Sequence, residues 1–579
     1  MNRLQSISMR RLWIALGIVL ALPALASPLS LDDYVHLAFL EDILPVHRQW
    51  WNLYTFVPED SAARETMLRY GMLPWWSSPE LKLVFFRPLA SALLKLDHVL
   101  FGRHVLGWHV HSLLWWAALL GVVARLYRRA VPAAAATLAL AMFAIDDAHW
   151  APIVWPAARN GLVATTFALL GLCAHLRWRQ DGWRAGAALA PLALALGLAS
   201  SELALSVFAY VASYELLDGA GAAWPRRLSA LLPYVPLFAL YALARSMIGA
   251  GASGSGVYLD PTVEPLRFAW AAAGRIPALL GNIIWNVPAI LWAAGARAQA
   301  WLVCLGVLGL IFVAWWLRSA LHRLAPEEAR AVRWLGAGAL VSLIPAAAGL
   351  PSEHTLLPAS VGAAPVLALL VRDGVRRWRE SRGILRRGWA GAMLAAVALP
   401  NVVLAAPLLV GKLLYWRQLA NHITNVVCAC PVVRSNSTRA LLAWSDDPFA
   451  LYGWGAAWLS CPGPMLAWMP LSQSPHPQTL TRVSANALLL EYPDQPALDS
   501  QTEALFRDPR AAMQVGTTVK VEGGLTVTVE AVERGRPKRV RFEFARPIED
   551  TDFRVLEWQK NHLGNLTLRI GESAAFPAH

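Results

Sequence analysis

The feature that most limits this chain is repetition: apolar stretches near bilayer length recur as far as residue 411, with basic loops at alternate connections. They fall at 12–28, 105–125, 131–147, 160–177, 185–200, 203–217, 227–247, 298–317, 334–350, 355–371 and 388–411. Each approaches the roughly 17 to 25 residues a helix needs to cross a bilayer, which predicts about eleven spans. Hydrophobic residues make up 56% of the 579 and charged residues 15%, with a mean hydropathy of +0.42. That is too apolar for a soluble globule of this length. The expected fold class is an all-α polytopic membrane protein.

The formal net charge of +13 would suit a nucleic-acid partner if it were gathered on one face. Instead the basic residues concentrate in loops at 125–130, 177–184, 225–227, 318–333 and 372–387. With the N-terminus inside, all five loops become cytoplasmic, so the bias sets the orientation and argues against nucleic acid. Arg3, Arg10 and Arg11 followed by Leu12 to Leu25 and Ala24-Leu25-Ala26 also fit a cleavable signal peptide. The rest of the architecture favours an uncleaved first helix, and on either reading Ser27 onward lies outside. Residues 276–293 are apolar too, yet a full span there would turn the 318–333 loop outward. With Pro277 and Pro288 bracketing it, that segment is expected to be a re-entrant or interfacial helix. Trp50/Trp51, Trp75/Trp76 and Trp115/Trp116 cluster at segment ends as interfacial belts do.

The outer loop at 29–104 is long and amphipathic, with Leu37, Leu40, Ile43 and Leu44 at helical spacing. Gly249 to Gly256 reads as a flexible loop, serving as a substrate gate or an ordinary linker. Beyond Leu414 the composition turns soluble, dividing the chain into a transmembrane domain at 1–412 and an outer C-terminal domain at 413–579, of α/β or β type. Residues 413–515 are mixed, with a helix near 501–513, and strands are expected at 518–521, 525–532, 540–544, 553–558 and 566–570. The basic run from Arg534 to Arg541 reads as a solvated turn and strand face. Cys461 can pair with Cys428 or Cys430 in an oxidising compartment, while Cys173 and Cys304 sit in apolar helices. Asn436-Ser-Thr and Asn565-Leu-Thr fit the glycosylation tripeptide.

Five polar turns at the ends of apolar segments fall on the non-cytoplasmic side: Asp32/Asp33, Arg87, Asp146/Asp147/His149, Glu202 and Glu353/His354. Ionisable groups at membrane depth are costly, so their gathering at one boundary marks a candidate site. Asp32 and Asp33 either cap the helix that follows or supply a general base for a reacting hydroxyl. Arg87 is a phosphate contact or a snorkelling anchor. His149 is a substrate or relay group, or a satisfied interfacial residue. Arg159 neutralises Asp146 and Asp147 or reaches phosphate, and Glu202 is a site acid or a helix cap formed with Ser200 and Ser201. Asp32, Asp33 and His36 could instead ligate a divalent cation, although no further carboxylate is fixed by spacing and no metal site is assigned. His104, His109 and His111 diverge around a helix and are expected to be interfacial.

Leu31-Asp-Asp-Tyr34, Phe86-Arg-Pro-Leu89, Leu96-Asp-His-Val-Leu-Phe-Gly102, Gly107-Trp-His109, His149 to Ala164 with Arg159, Ser200-Ser-Glu-Leu-Ala204, and Glu353-His to Ser360-Val-Gly362 occur in that order. Together they resemble the GT-C class of membrane glycosyltransferases, in its protein O-mannosyltransferase-like branch, over roughly residues 10–375. The resemblance implies a GT-C-like bundle in a bacterial inner membrane with a periplasmic C-terminal domain. It implies a polyprenyl-phosphate-linked sugar donor, membrane lipid as partner, and Asp32 or Asp33 as the base that takes the acceptor hydroxyl's proton. Arg87, Asp147, His149, Arg159, Glu202, Glu353 and His354 are then the substrate-binding set. Cationic and hydrogen-bonding groups at the outer boundary suit a donor whose tail stays in the bilayer. The chain departs from the family pattern at Ser201, where Lys is common, at His354, where Arg is, and at Thr355 and Leu357, which replace a Tyr-rich stretch. Two phosphate cations are thereby missing or weakened. The alternatives are a lipid-linked saccharide transporter, which calls for ionisable residues in mid-span, and a non-catalytic glycan-assembly protein on the same scaffold.

Overall fold

The structure is a computed structural model and describes residues 3–430, 439–445, 457–461, 467–559 and 561–578; the Asn436 tripeptide lies outside them. All the apolar segments read from the sequence contain helix. Among the described residues, 7 helices are long and apolar enough to cross a membrane: Ser8–Ala26, Val105–Ala130, Pro156–Asp181, Trp224–Met247, Ala296–Leu321, Leu357–Glu380 and Ile384–Ala429. Ala133–Ile145 and Gly186–Leu198 are apolar but shorter. By contact, the chain forms two compact units. One comprises Met1–Ser27, Phe85–Ala250 and Glu264–Arg417, the other Pro28–Val84, Gly251–Val263 and Gln418–His579. Most of the long first loop therefore groups with the C-terminal region.

The first unit is helical, and its helices meet where side chains are small. Lipid gives apolar helices no hydrophobic reason to associate, so close backbone packing has to hold them. A Cβ on Gly171 would fall 2.7 Å from the Ala190 carbonyl oxygen, and one on Gly197 would fall 3.0 Å from that of Ala164. The segment expected as a re-entrant helix at 276–293 is the second half of a longer helix, Pro265–Trp285, followed by a 3-10 turn at Ala289–Ala294. Pro265 starts that helix at a position where its missing N–H costs nothing, and Pro277 is accommodated inside it. It packs along Ala296–Leu321 through Gly306, where a Cβ would lie 1.7 Å from the Pro277 carbonyl oxygen.

The second unit is β-rich. β1 (Thr55–Val57), β2 (Lys82–Val84) and β3 (Gly251–Ser253) form one antiparallel sheet in that order. The stretch expected as a flexible loop at 249–256 is thus partly an edge strand. Gly254, at φ +70°, lets the backbone pass so close to Glu80 that a Cβ would sit 2.8 Å from its carbonyl carbon. β4 (Arg439–Ser445) and β5 (Ala467–Pro470) run parallel, while β6 (Gln478–Ser484), β7 (Ala487–Glu491), β8 (Thr518–Val521), β9 (Leu525–Glu533) and β10 (Arg536–Phe544) belong to an antiparallel sheet. With β11 (Phe553–Gln559), β12 (His562–Asn565) and β13 (Ser573–Phe576), the strand orders are β13-β6-β7-β10-β9-β8 and β12-β11-β4-β5.

Alternation builds this core: Leu525, Val527 and Val529 of β9 face inward with Val540, Phe542 and Phe544 of β10. On the outer face Arg541 pairs with Glu530 and Arg539 with Glu491, so the basic run is indeed a solvated strand face. Arg534 and Gly535, at φ 52° and 74°, make the turn between the two strands. Several local expectations fail. Among the described residues, 413–515 contain four strands, β4 to β7, where the sequence shows no sustained alternation. The helix near 501–513 shrinks to Gln501–Ala504, closed by a capping box of Ser500 and Glu503. The strand expected at 566–570 falls at β12 instead. The amphipathic helix of the first loop, Asp32–Leu40, stops before Ile43 and Leu44, where Asp42 takes φ 57°. Cys428 is bonded to Cys461 at 2.03 Å, and Cys430, which is buried, lies outside that disulfide.

The helix contact at Gly306 yields a direct test. Gly306→Ala is expected to lower the melting temperature of the detergent-purified protein by the equivalent of about 1–3 kcal/mol. Gly121→Ala, whose Cβ would meet nothing within 4 Å, should change stability by less than about 1 kcal/mol.

Candidate functional site

Arg87 stands directly before the helix Pro88–Phe101, where Pro88 takes the first position and keeps the preceding residue, at φ −135° and ψ 53°, out of the helix. Its guanidinium grips Glu202 with two bonds, Nε to Oε2 at 3.0 Å and Nη2 to Oε1 at 2.6 Å. Glu202 is presented by the turn between Gly186–Leu198 and Ala204–Leu217, and Leu89 N–H donates to the Ala199 carbonyl at 2.8 Å, tying the two turns together. Ser201 Oγ accepts the Leu203 N–H at 3.4 Å, which leaves Glu202 to Arg87. Burial pushes the Glu202 carboxyl up, but the adjacent Arg87 charge outweighs it and holds the group below its ordinary range. The same positive charge reaches His354. Burial, with Arg87 adding to it, lowers that imidazole to about 4, so it is neutral at pH 7; its Nδ1 lies 2.8 Å from Ser352 Oγ.

The turn after Ala133–Ile145 separates its three polar residues by role. Asp146 caps it, accepting the Ala148 N–H at 3.0 Å, and its other oxygen accepts from Ser360 Oγ at 3.0 Å. These groups border a cavity of about 20 Å³ that Asn401 also lines, space for roughly one water. His149 is fully buried, its ring centroid 4.5 Å from Phe143 and 5.4 Å from Trp116, with Nε2 3.6 Å from Asp146 Oδ2. It is packed among aromatic rings beside the site. Asp147 points elsewhere, placing Oδ2 2.7 Å from Lys412 Nζ, which also lies 3.7 Å from Glu353 Oε1.

Lys412 is the residue that sequence reasoning passed over. The available signal was a cation at the end of an apolar run, which in a membrane chain is itself a site hypothesis. One turn on, Trp416 lies 5.1 Å from the Trp150 ring and 5.8 Å from Trp155, while Trp155 stands edge-on to His354 at 6.5 Å. Asp147, Glu353, His354 and Lys412 thus share one neighbourhood, and the Arg87–Glu202 pair lies near enough for its charge to reach His354.

Arg159 does not join it. Its guanidinium pairs with Asp97 and donates to the Trp108 carbonyl at 3.0 Å, and Asp97 also holds His111 Nδ1 at 2.5 Å. Arg159 and Asp97 are both nearly inaccessible, so the pair braces helices Pro88–Phe101 and Val105–Ala130. His109, expected at an interface, is buried with Nε2 2.9 Å from the Ser27 carbonyl oxygen. Asp32 and Asp33 belong to the second unit, in the first turn of Asp32–Leu40. Asp33 is buried and accepts the Ser30 N–H at 3.0 Å; the intervening Leu31 takes φ 47° and ψ −119°, a strained conformation for a branched residue. His36 packs on Tyr54 and Phe56 at 4.5 and 5.5 Å, and among the described residues no group of three or more His, Cys, Asp or Glu is arranged to hold a metal.

No protein-family model and no curated protein matches the chain. Among solved structures, an oligosaccharyltransferase from Archaeoglobus fulgidus tethered with an acceptor peptide is 13% identical, with a TM-score of 0.41 over 81% of this chain. The chain spans 64% of that protein's length. ArnT from Cupriavidus metallidurans bound to undecaprenyl phosphate is 12% identical, with a TM-score of 0.41, covering 78% of this chain and 85% of ArnT. The mycobacterial arabinofuranosyltransferase AftD is 16% identical, with a TM-score of 0.36, covering 93% of this chain and 42% of AftD.

Burial is the larger influence on Asp147 and raises its carboxyl from the ordinary 3.8 to about 6, with Lys412 opposing it. Asp147 therefore binds its proton more tightly folded than unfolded. Its contribution to stability declines as pH rises from about 4 to about 6 and is level above. Melting temperature measured across that window should lose this component in Asp147→Asn; an unchanged profile refutes the raised carboxyl.

Proposed function

We propose that the chain is a GT-C-type membrane glycosyltransferase that moves a sugar from a polyprenyl-phosphate donor to an acceptor hydroxyl at the periplasmic face of a bacterial inner membrane. The observation that carries this is convergence. Side chains from positions 87, 147, 202, 353–354 and 412, far apart in sequence, form one charged neighbourhood around the connections between helices. The resemblance in Leu31 to Tyr34, Phe86 to Leu89 and Ser200 to Ala204 supplies the chemistry such a neighbourhood serves.

Arg87 is the phosphate-facing cation, a planar fork suited to bidentate oxygen recognition and oriented by Glu202. Neutral His354 and Ser352 offer hydrogen bonds to phosphate or sugar oxygens. Asp32 or Asp33 takes the acceptor's proton as its oxygen attacks the anomeric carbon. The bond from that carbon to the phosphate oxygen breaks, and the lipid phosphate leaves with the electron pair. The Cys428–Cys461 bond supports an oxidising compartment for the second unit.

Asp32→Asn and Asp33→Asn, made separately, should be assayed in membranes for consumption of lipid-linked sugar. One of them is expected to lose about 100-fold or more of the rate. Arg87→Ala is expected to weaken donor use in parallel. Wild-type turnover in both Asn variants removes the base assignment and favours a non-catalytic assembly role. Mass spectrometry of lipids from a strain lacking the protein should show the unused isoprenoid-linked sugar accumulating.

A further inference from the structure

The transfer reading leaves Lys412 without a task, yet its position is tightly determined. At roughly 1.5 Å per residue, the helical stretch from Arg387 to Lys412 rises roughly 38 Å, against a hydrocarbon core of about 30 Å. With the basic loop at 372–387 marking one membrane boundary, that length carries Lys412 to the opposite one. Trp416 follows at i+4 on the same helix face, and its contacts with Trp150 and Trp155 turn that face toward the connection that carries Asp147.

The ammonium lies 2.7 Å from Asp147 Oδ2 and 3.7 Å from Glu353 Oε1, and these two side chains are 1% and 4% exposed. Two carboxylates so deeply buried repel each other and have lost most of their water, so a positive charge held between them offsets both costs. Asp146, beside Asp147, is a third acid, its oxygens accepting from Ala148 N–H and Ser360 Oγ. Among the described residues, Asp147 Oδ1 is buried without a hydrogen-bond partner, so that carboxylate relies on the ion pair of its other oxygen. A hard divalent cation takes about six or more oxygen ligands, whereas an ammonium with three donors suits two carboxylates.

We propose that Lys412 is a tethered cation: its ammonium fills the acidic niche of Asp147 and Glu353 in the role a divalent metal would otherwise take, making this niche metal-independent. Its meaning for catalysis rests on the transfer reading above, but the niche itself is tested without the donor. The readout is the melting temperature of the full-length protein in detergent, with EDTA or with millimolar Mn²⁺. The wild type should show no Asp147-dependent response to either addition. Lys412→Ala should melt lower and regain about 3 °C or more with Mn²⁺, a gain absent from Lys412→Ala/Asp147→Asn; Lys412→Arg, which keeps the charge, should behave as the wild type. Destabilisation of the wild type by EDTA that Asp147→Asn abolishes overturns the proposal, and that arm needs no lysine variant to fold. Failure of Lys412→Ala or Lys412→Met to respond to Mn²⁺ overturns it equally. If the Mn²⁺ pattern holds while wild-type membranes consume no lipid-linked sugar, the transfer reading falls and the tethered cation stands.

Discussion

Buried charge in this helical unit has to be neutralised side chain by side chain. Arg87 meets Glu202, Arg159 meets Asp97, Lys412 meets Asp147, and the pattern repeats where Arg179 and His175 meet Glu215. Asp373 likewise receives Arg323, Arg377 and the Trp316 indole. Such pairs return little net stability, because desolvation cancels most of the attraction. What they fix is register. Each joins different helices or connections, or in the case of Arg377 fastens a pair already made, so a helix that slipped by a turn would strand a charge in a medium that cannot solvate it.

The same logic distributes positive charge over the candidate site. Ser201 precedes Glu202 and His354 follows Glu353, so neither acid has a lysine or arginine beside it in sequence. The structure brings cations to those acids from other elements: Arg87 from the start of Pro88–Phe101 and Lys412 from Ala405–Ala429. A deficit read along the sequence is made up in space. His354 itself is kept neutral by burial and by Arg87, which makes it a hydrogen-bonding group and not a second charge.

Much of this was legible beforehand, for identifiable reasons. Hydropathy marked the helices because a bilayer demands length and apolarity together, and the turns bearing Arg87, Asp147, Glu202 and Glu353 stood out as costly groups at helix ends. Pairing was not legible. Arg159 was weighed against the acids near it in sequence, whereas its partner Asp97 lies 62 residues away. Lys412 was passed over because the apolar run ending at 411 and the soluble composition after 414 made it look like a boundary. In the second unit, β9 and β10 announce themselves by strict alternation. β4 and β5 run parallel as continuous apolar stretches, Ala440 to Trp444 being an example, and period alone does not separate such a strand from buried helix.

The second unit is assembled from three stretches separated by helical segments. Trp75 Nε1 donates to the Leu471 carbonyl at 3.0 Å, Ser78 N to Phe506 at 2.9 Å, Asp508 N to Gly254 at 2.9 Å, and Glu522 N to Arg69 at 2.8 Å. A ribosome delivers the first of these partners hundreds of residues before the last. During synthesis the early loop and the short strand at Gly251–Ser253 must wait, edges bare, while the intervening helices are inserted. Biogenesis of this protein is thus a problem of guarding unfinished β-structure, and factors that shield exposed strands would govern its yield as much as any property of the finished fold.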